Sequence, residues 1–291
     1  MLRSTFLAAS AAVVGARPVR AHPQTINVAD LVERFPGIIG IYCRTLSNAP
    51  PVVAVRANEQ FAAASIIKLP VMLTAYRAFE IKTASPDEYV TLLPGDITEG
   101  APILGDAHSG QRWPIGTLIN AMIKYSDNIA SNALISHFGF TAINATIRSA
   151  GMTGTTLARH FAGEVPAGRR NLNVTTPHDI GLLLYEIERG AHEGIPTVAS
   201  PASCRAMITT LLGQAYREMI PAGVKRHVPI ANKTGELDNV RSDAAVIDPL
   251  SEAPYILVIL TKELDYPGLA YGDIANVAEH IDNGMRRILA H

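Results

Sequence analysis

The stretch Ser65-Ile66-Ile67-Lys68-Leu69-Pro70-Val71-Met72-Leu73 is apolar everywhere except at Ser65 and Lys68. Wound as a helix it is hydrophobic on every face, so it belongs inside a core. A lysine there is out of place. Three-residue spacing sets Ser65 and Lys68 side by side on one helical face, and burial favours the neutral amine over the ammonium. A neutral amine beside a serine can accept the hydroxyl proton, which makes a nucleophile without a histidine. The competing reading is a lysine that runs its stem through the core and its charge to water, next to an ordinary helix-start serine. Pro70 requires the helix to begin near Ser65, where early amides need no intrahelical partner.

Outward from this helix the pattern changes on both sides. Upstream, residues 37–46 and 52–61 are rich in Ile and Val and are separated by Ser47-Asn48-Ala49-Pro50-Pro51, a strand, turn, strand unit. Downstream, helical periods punctuated by Gly and Pro run at 65–80, 115–125, 128–138, 140–150, 177–189 and 201–212. Strand character returns at 229–234, 244–247 and 255–261, and an amphipathic helix at 274–289 closes the chain. Strands, then helices, then strands predict an α/β fold of the α+β sandwich kind. Its mixed, mainly antiparallel sheet is built from both termini, with a mainly helical lobe inserted. The α/β lobe is expected at about residues 22–62 and 214–291 and the helical lobe at about 63–213, with a substrate cleft between them.

A chain of 291 residues, 48% hydrophobic, can bury a large core, and 25 basic against 26 acidic residues give no reason to expect nucleic acid as a partner. Residues 1–21 read as a leader: Arg3 precedes an apolar run, and Val19-Arg20-Ala21 offers small residues for cleavage. No other stretch is long enough to span a bilayer. The mature protein is therefore expected to be periplasmic or secreted, without stable membrane insertion, and a monomer. Cys43 and Cys204 either pair in that oxidising compartment or stay as two separate buried thiols. The nine histidines show no His-x-x-x-His spacing, and neither a metal site nor a cofactor is expected.

Two further polar clusters follow the helix. Read singly, Ser126-Asp127-Asn128 caps a helix and Lys233-Thr234-Gly235 is a strand end entering a turn. In this order the three clusters resemble the serine β-lactamase and penicillin-binding protein superfamily, whose motifs are Ser-x-x-Lys, Ser-Asp-Asn and Lys-Thr-Gly. The resemblance is nearest to class A β-lactamases. It runs from about residue 37 to the C-terminus and includes Gly100-Ala101-Pro102-Ile103-Leu104 and Thr175-Thr176-Pro177.

The resemblance implies a β-lactam substrate and a division of labour. Ser65 attacks the lactam carbonyl, Lys68 assists its deprotonation, and Ser126 passes a proton to the departing nitrogen. Asn128 holds Lys68 and the substrate's side-chain amide. Lys233 and the Thr234 hydroxyl meet the substrate carboxylate, as does Arg241 on the next strand. The N–H groups of Ser65 and Glu236 form the oxyanion hole.

One region departs from the family pattern, in which an Arg-x-Glu-x-x-x-Asn loop releases the acyl group. Counting from Arg159 puts Phe161 in the glutamate's place and Val165 in the asparagine's, and Asn173 stands where an aspartate pairs with the arginine. Between Asp127 and Asp179 the only acidic residue is Glu164. It is the expected base for deacylation. If it is not, the chain is expected to form long-lived acyl-enzymes, as a D-alanyl-D-alanine peptidase or penicillin sensor does.

Overall fold

The computed structural model describes residues 25–47, 49–161 and 173–290. The chain opens with α1 (Ala29–Glu33), β1 (Ile38–Thr45), β2 (Val53–Val55) and β3 (Phe61–Ala62). A 3-10 turn (Ala64–Ile67) leads into α2 (Lys68–Glu80), followed by β4 (Tyr89–Thr91), a 3-10 turn (Pro94–Asp96), β5 (Arg112–Pro114), α3 (Ile115–Lys124), α4 (Asn128–Phe138) and α5 (Phe140–Ser149). After β6 (Val174–Thr175) come α6 (Pro177–Glu193), α7 (Pro201–Leu212) and α8 (Ile220–Gly223). The chain returns through β7 (Ile230–Leu237), β8 (Val240–Ile247) and β9 (Tyr255–Lys262) and ends in α9 (Ala270–Leu289).

The five-stranded sheet has the order β2-β1-β9-β8-β7 and every pairing in it is antiparallel. Both ends of the chain build it, as expected, because β1 lies along β9 with Ile41 opposite Ile259. Period-two alternation then feeds two cores. From β9, Ile256, Val258 and Leu260 enter the core shared with the helices, while Tyr255, Leu257 and Ile259 enter the core shared with α9. A strand apolar at every position is thus buried on both faces.

The axis of the helical region is α2, whose residues from Lys68 to Ala75 are all buried. It touches α3, α4, α5 and α7. Each fully buried Leu or Val contributes roughly 1.5–3 kcal/mol by leaving water, and this helix carries Leu69, Val71 and Leu73 at zero exposure. Neighbouring helices start where side chains cap them. Asp127 accepts from the Ala130 N–H at 2.8 Å at the head of α4, and Thr176 accepts from the Asp179 N–H at 3.0 Å at the head of α6.

Two expectations are refined. The 52–61 strand is broken, because β2 ends at Val55 and Phe61–Ala62 pairs instead with β6, Phe61 opposite Thr175. The cysteines are both free and buried, Cys43 in the core against α9 and Cys204 in the core among the helices, so of the two readings the separate thiols stand. Among the described residues no helix is long and apolar enough to cross a membrane. The leader read at residues 1–21 lies outside them.

Candidate active site

Ser65 sits in the 3-10 turn directly ahead of α2, next to Ala64, whose φ of 44° turns the chain sharply. Lys68 opens the helix and is fully buried. Its Nζ lies 2.6 Å from the Ser126 carbonyl, 2.9 Å from Asn128 Oδ1 and 3.2 Å from Ser126 Oγ. Lys233, also fully buried, donates to Ser126 Oγ at 3.1 Å and to the Thr234 carbonyl at 2.8 Å. Ser126 Oγ therefore stands between two amines. Ser126 itself holds the left-handed backbone conformation, φ 58°, that aims both its carbonyl and its hydroxyl at Lys68.

Burial first, and then the neighbouring Lys233 charge, hold Lys68 well below the ordinary lysine range, against a weaker opposing pull from Asp127. Burial likewise pushes Lys233 down to about 7, with Asp243 and Glu236 pulling the other way. A neutral Lys68 can donate to the two carbonyl-type oxygens and keep its lone pair for a hydroxyl proton. That is the state a proton acceptor needs.

The Ser-Asp-Asn cluster divides its labour. Asp127 is the helix cap, its second oxygen taking the N–H groups of Ile103 and Leu104 at 3.0 and 2.8 Å, while Ser126 and Asn128 face Lys68. Asn128 is also clamped from behind, its N–H on the Gly100 carbonyl and its side-chain amide on the Glu99 carbonyl. Gly100 is required there: at φ +72°, an added Cβ would lie 2.5 Å from Asn128 Nδ2. Gly235 plays the same part on β7, where a Cβ would meet Ile66 Cγ1 at 3.0 Å and Ile66 N at 3.2 Å. The missing side chain lets the strand lie against the turn that carries Ser65.

Two cavities reach Ser65. The larger, about 510 Å³, is lined by Ser65, Ser126, Asn128, Thr234 and Glu236, with Tyr125 and Tyr216 as aromatic walls. The smaller, about 210 Å³, is lined by Ser65, Asn128, Arg159, His160, Phe161 and Asn173, with Glu236 again at its edge. Here the family pattern is altered. The Phe161 ring lies over Lys68 Nζ at 4.4 Å from its centroid, and in sequence it takes the place where counting from Arg159 expects a glutamate. Asn132 fixes this residue through its backbone, accepting from the Phe161 N–H at 2.7 Å and donating to its carbonyl at 3.0 Å. Asn173 Oδ1 accepts the Ala158 and Arg159 N–H groups at 2.8 and 3.0 Å and its Nδ2 donates to the Arg159 carbonyl at 3.0 Å. An amide can do both, so the turn closes without an ion pair. Glu164 lies outside the described residues.

The structure brings Ser65, Lys68, Ser126, Asn128, Lys233, Thr234 and Glu236 together. It does not bring Arg241 with them. That guanidinium donates to the Leu237 and Val240 carbonyls at 2.6 and 2.8 Å, packs 5.2 Å over the Tyr271 ring, and lies 3.8 Å from Glu236 Oε2. The hairpin's own acceptors hold it. Among the described residues, no group of three His, Cys, Asp or Glu side chains is placed to hold a metal ion.

Sequence reasoning missed the buttress behind Lys233. Arg217 donates to Asn232 Oδ1 at 2.8 Å and Asn232 Nδ2 donates to Asp243 Oδ1 at 3.0 Å. Burial pushes the Asp243 carboxyl up to about 7, against those hydrogen bonds and the Lys233 charge. The available signal was weak, because Asn232 and Asp243 are two among several polar residues on β7 and β8.

A family model described as the beta-lactamase enzyme family matches residues 25–283. A beta-lactamase of Mycobacterium tuberculosis is 28% identical over 264 residues, covering 85% of this chain and 81% of that protein. The crystal structure of a beta-lactamase from Sphaerobacter thermophilus superimposes with a TM-score of 0.80 at 25% identity, covering 89% of this chain and 97% of that one. PBP-A shares the fold, with a TM-score of 0.79 at 23% identity over 89% of this chain and 94% of its own.

Proposed function

Because the chain belongs to the beta-lactamase enzyme family, we propose that it is a serine β-lactamase that opens the cyclic amide through an acyl-enzyme on Ser65. The observation that carries the reading is the pair of buried lysines facing one serine hydroxyl, Lys68 at 3.2 Å and Lys233 at 3.1 Å from Ser126 Oγ. In the acylation step Lys68 takes the Ser65 hydroxyl proton while Oγ bonds to the lactam carbon. The C–N bond breaks, and the proton travels through Ser126 to the nitrogen. The N–H groups of Ser65 and Glu236 receive the developing oxyanion, a contact that contributes about 3 kcal/mol per donor in such sites. Thr234 and Lys233 hold the substrate carboxylate, and Asn128 keeps Lys68 in line.

Release of the acyl group needs water and a proton acceptor. Glu164 is the carboxylate proposed from the sequence, and Glu164→Gln should then acylate and stall. A second reading, a penicillin-binding peptidase or sensor with slow release, is favoured by one observation: a Phe161 ring, not a carboxylate, lies over Lys68. Mixing the purified protein with a chromogenic cephalosporin separates the two. Steady turnover supports the β-lactamase; a burst equal to the enzyme concentration, followed by nothing, supports the second reading. We further propose that residues 1–21 are removed on export and that the mature protein acts as a periplasmic or secreted monomer.

A further inference from the structure

The two tyrosines that wall the larger cavity have no part in the acylation chemistry, yet they are held in place from both sides of the cleft. The segment between α7 and α8 is strapped to the end of α3 by three hydrogen bonds. Gln214 Nε2 donates to the Ile123 carbonyl at 3.0 Å, the Ala215 N–H to the Lys124 carbonyl at 2.9 Å, and the Tyr216 hydroxyl to the Tyr125 carbonyl at 3.3 Å. On the other side the Tyr216 carbonyl accepts from Asn232 Nδ2 at 3.3 Å. Tyr216 therefore reaches from Tyr125, the residue before Ser126, to Asn232, the residue before Lys233. Its hydroxyl partner lines the same cavity that holds Ser65, Ser126 and Thr234. Tyr125 is 41% exposed, so its ring is not spent on the core.

The orientation of the substrate fixes what meets this wall. On the acyl-enzyme reading of Ser65, on which the inference rests, Thr234 and Lys233 hold the carboxylate and Asn128 the side-chain amide. A cephalosporin carries its carboxylate on a ring carbon whose neighbour bears a second substituent. That substituent is thus brought to the carboxylate end, where Tyr216 stands. We propose that Tyr125 and Tyr216 form a subsite for it and select a flat, positively charged ring there. Aromatic faces attract a cation through their quadrupole. The charges around the wall favour the same occupant: burial raises the Tyr216 phenol above its ordinary value, and Glu236, Glu218 and Asp127 add to the shift. Of the cations nearby, Lys233 meets the substrate's own carboxylate, and Arg217 is engaged by the Ile230 carbonyl and Asn232 Oδ1 at 2.8 Å each.

The test uses cephaloridine and cephalothin, which share one acyl side chain and differ in that substituent, a pyridinium ring against an acetoxymethyl group. Binding of the intact compounds is measured by calorimetry on Ser65→Ala, which leaves the lactam closed, alone and combined with Tyr216→Leu, Tyr125→Leu or Tyr216→Phe. Ser65→Ala should bind cephaloridine about 5- to 30-fold more tightly than cephalothin, the range of a desolvated cation over aromatic faces. Each leucine variant should cut that ratio by about threefold or more, while Tyr216→Phe, which keeps the ring and gives up only its tie to Tyr125, should preserve it. A purely structural role would weaken both compounds alike and leave the ratio where it was. No preference in Ser65→Ala, or an unchanged ratio in both leucine variants, overturns the inference. A wild type that forms no adduct with either compound overturns the acyl-enzyme reading instead, and the calorimetric ratio still decides the subsite.

Discussion

The cavity of about 510 Å³ is walled in part by three polar clusters whose members hydrogen-bond one another, whereas the wall of the cavity of about 210 Å³ includes Phe161 and Asn173, two positions that depart from the family pattern. Both open on Ser65. On the first side both lysines have partners that the sequence motifs supply: Lys68 with Ser126 and Asn128, Lys233 with Ser126 and Thr234. On the second side the Phe161 ring lies over Lys68, and Phe161 stands in sequence where counting from Arg159 expects the family's glutamate. On the proposed reading, forming the acyl-enzyme and clearing it draw on different walls, and substitutions should separate them.

The largest separation is expected from Lys68→Ala. Removing the proton acceptor for Ser65 should slow acylation by about 10²–10⁴-fold, measured as the rate of adduct formation under single-turnover conditions. A smaller loss would mean that another group deprotonates Ser65.

Lys233 gives a pH-dependent version of the same contrast. Its ammonium is pushed down to about 7 by burial, so the charge is present below that value and lost as pH rises through it. Affinity for a carboxylate-bearing substrate should fall on the alkaline side by roughly 10- to 100-fold, the weight of one charge-assisted contact. Lys233→Arg keeps its charge across this range and should remove the fall, seen as a flat kcat/KM between about pH 7 and 9.

Asn132→Ala probes the other wall. It removes two hydrogen bonds to the Phe161 backbone, worth about 1 kcal/mol each. Adduct clearance should suffer more than adduct formation. Equal effects on both would mean that the two walls are not independent.

The smallest effect belongs to Arg241→Ala. Because its guanidinium is held by the Leu237 and Val240 carbonyls, apparent substrate affinity should change by less than about 1 kcal/mol, below the 1.5–3 kcal/mol of a charge-assisted contact. A loss in that higher range would mean that the arginine leaves the hairpin to meet the substrate carboxylate.

What could be read from sequence follows the same division. The Ser65–Lys68 pair was legible because a lysine inside an all-apolar helix has few explanations, and β9 because an unbroken apolar run predicts a doubly buried strand. The β4–β5 hairpin was not legible: each strand has three residues, too few to show alternation. The Tyr125–Tyr216 wall was hidden because its members lie far apart in sequence and form no local pattern. Arg241 shows a third limit. Its place on the strand after Lys233-Thr234-Gly235 was readable, but its register opposite Glu236 and the direction of its side chain, onto the Leu237 and Val240 carbonyls, were not.

The central claim, a hydrolase acting through an ester on Ser65, is tested most directly by intact mass over time after a single addition of penicillin, in wild type beside Ser65→Ala. The wild type should gain the mass of one penicillin and then lose it, returning to its starting mass with hydrolysed product in solution, while Ser65→Ala gains nothing. An adduct on Ser65→Ala would contradict the nucleophile, and a wild-type adduct that never clears would contradict the hydrolase.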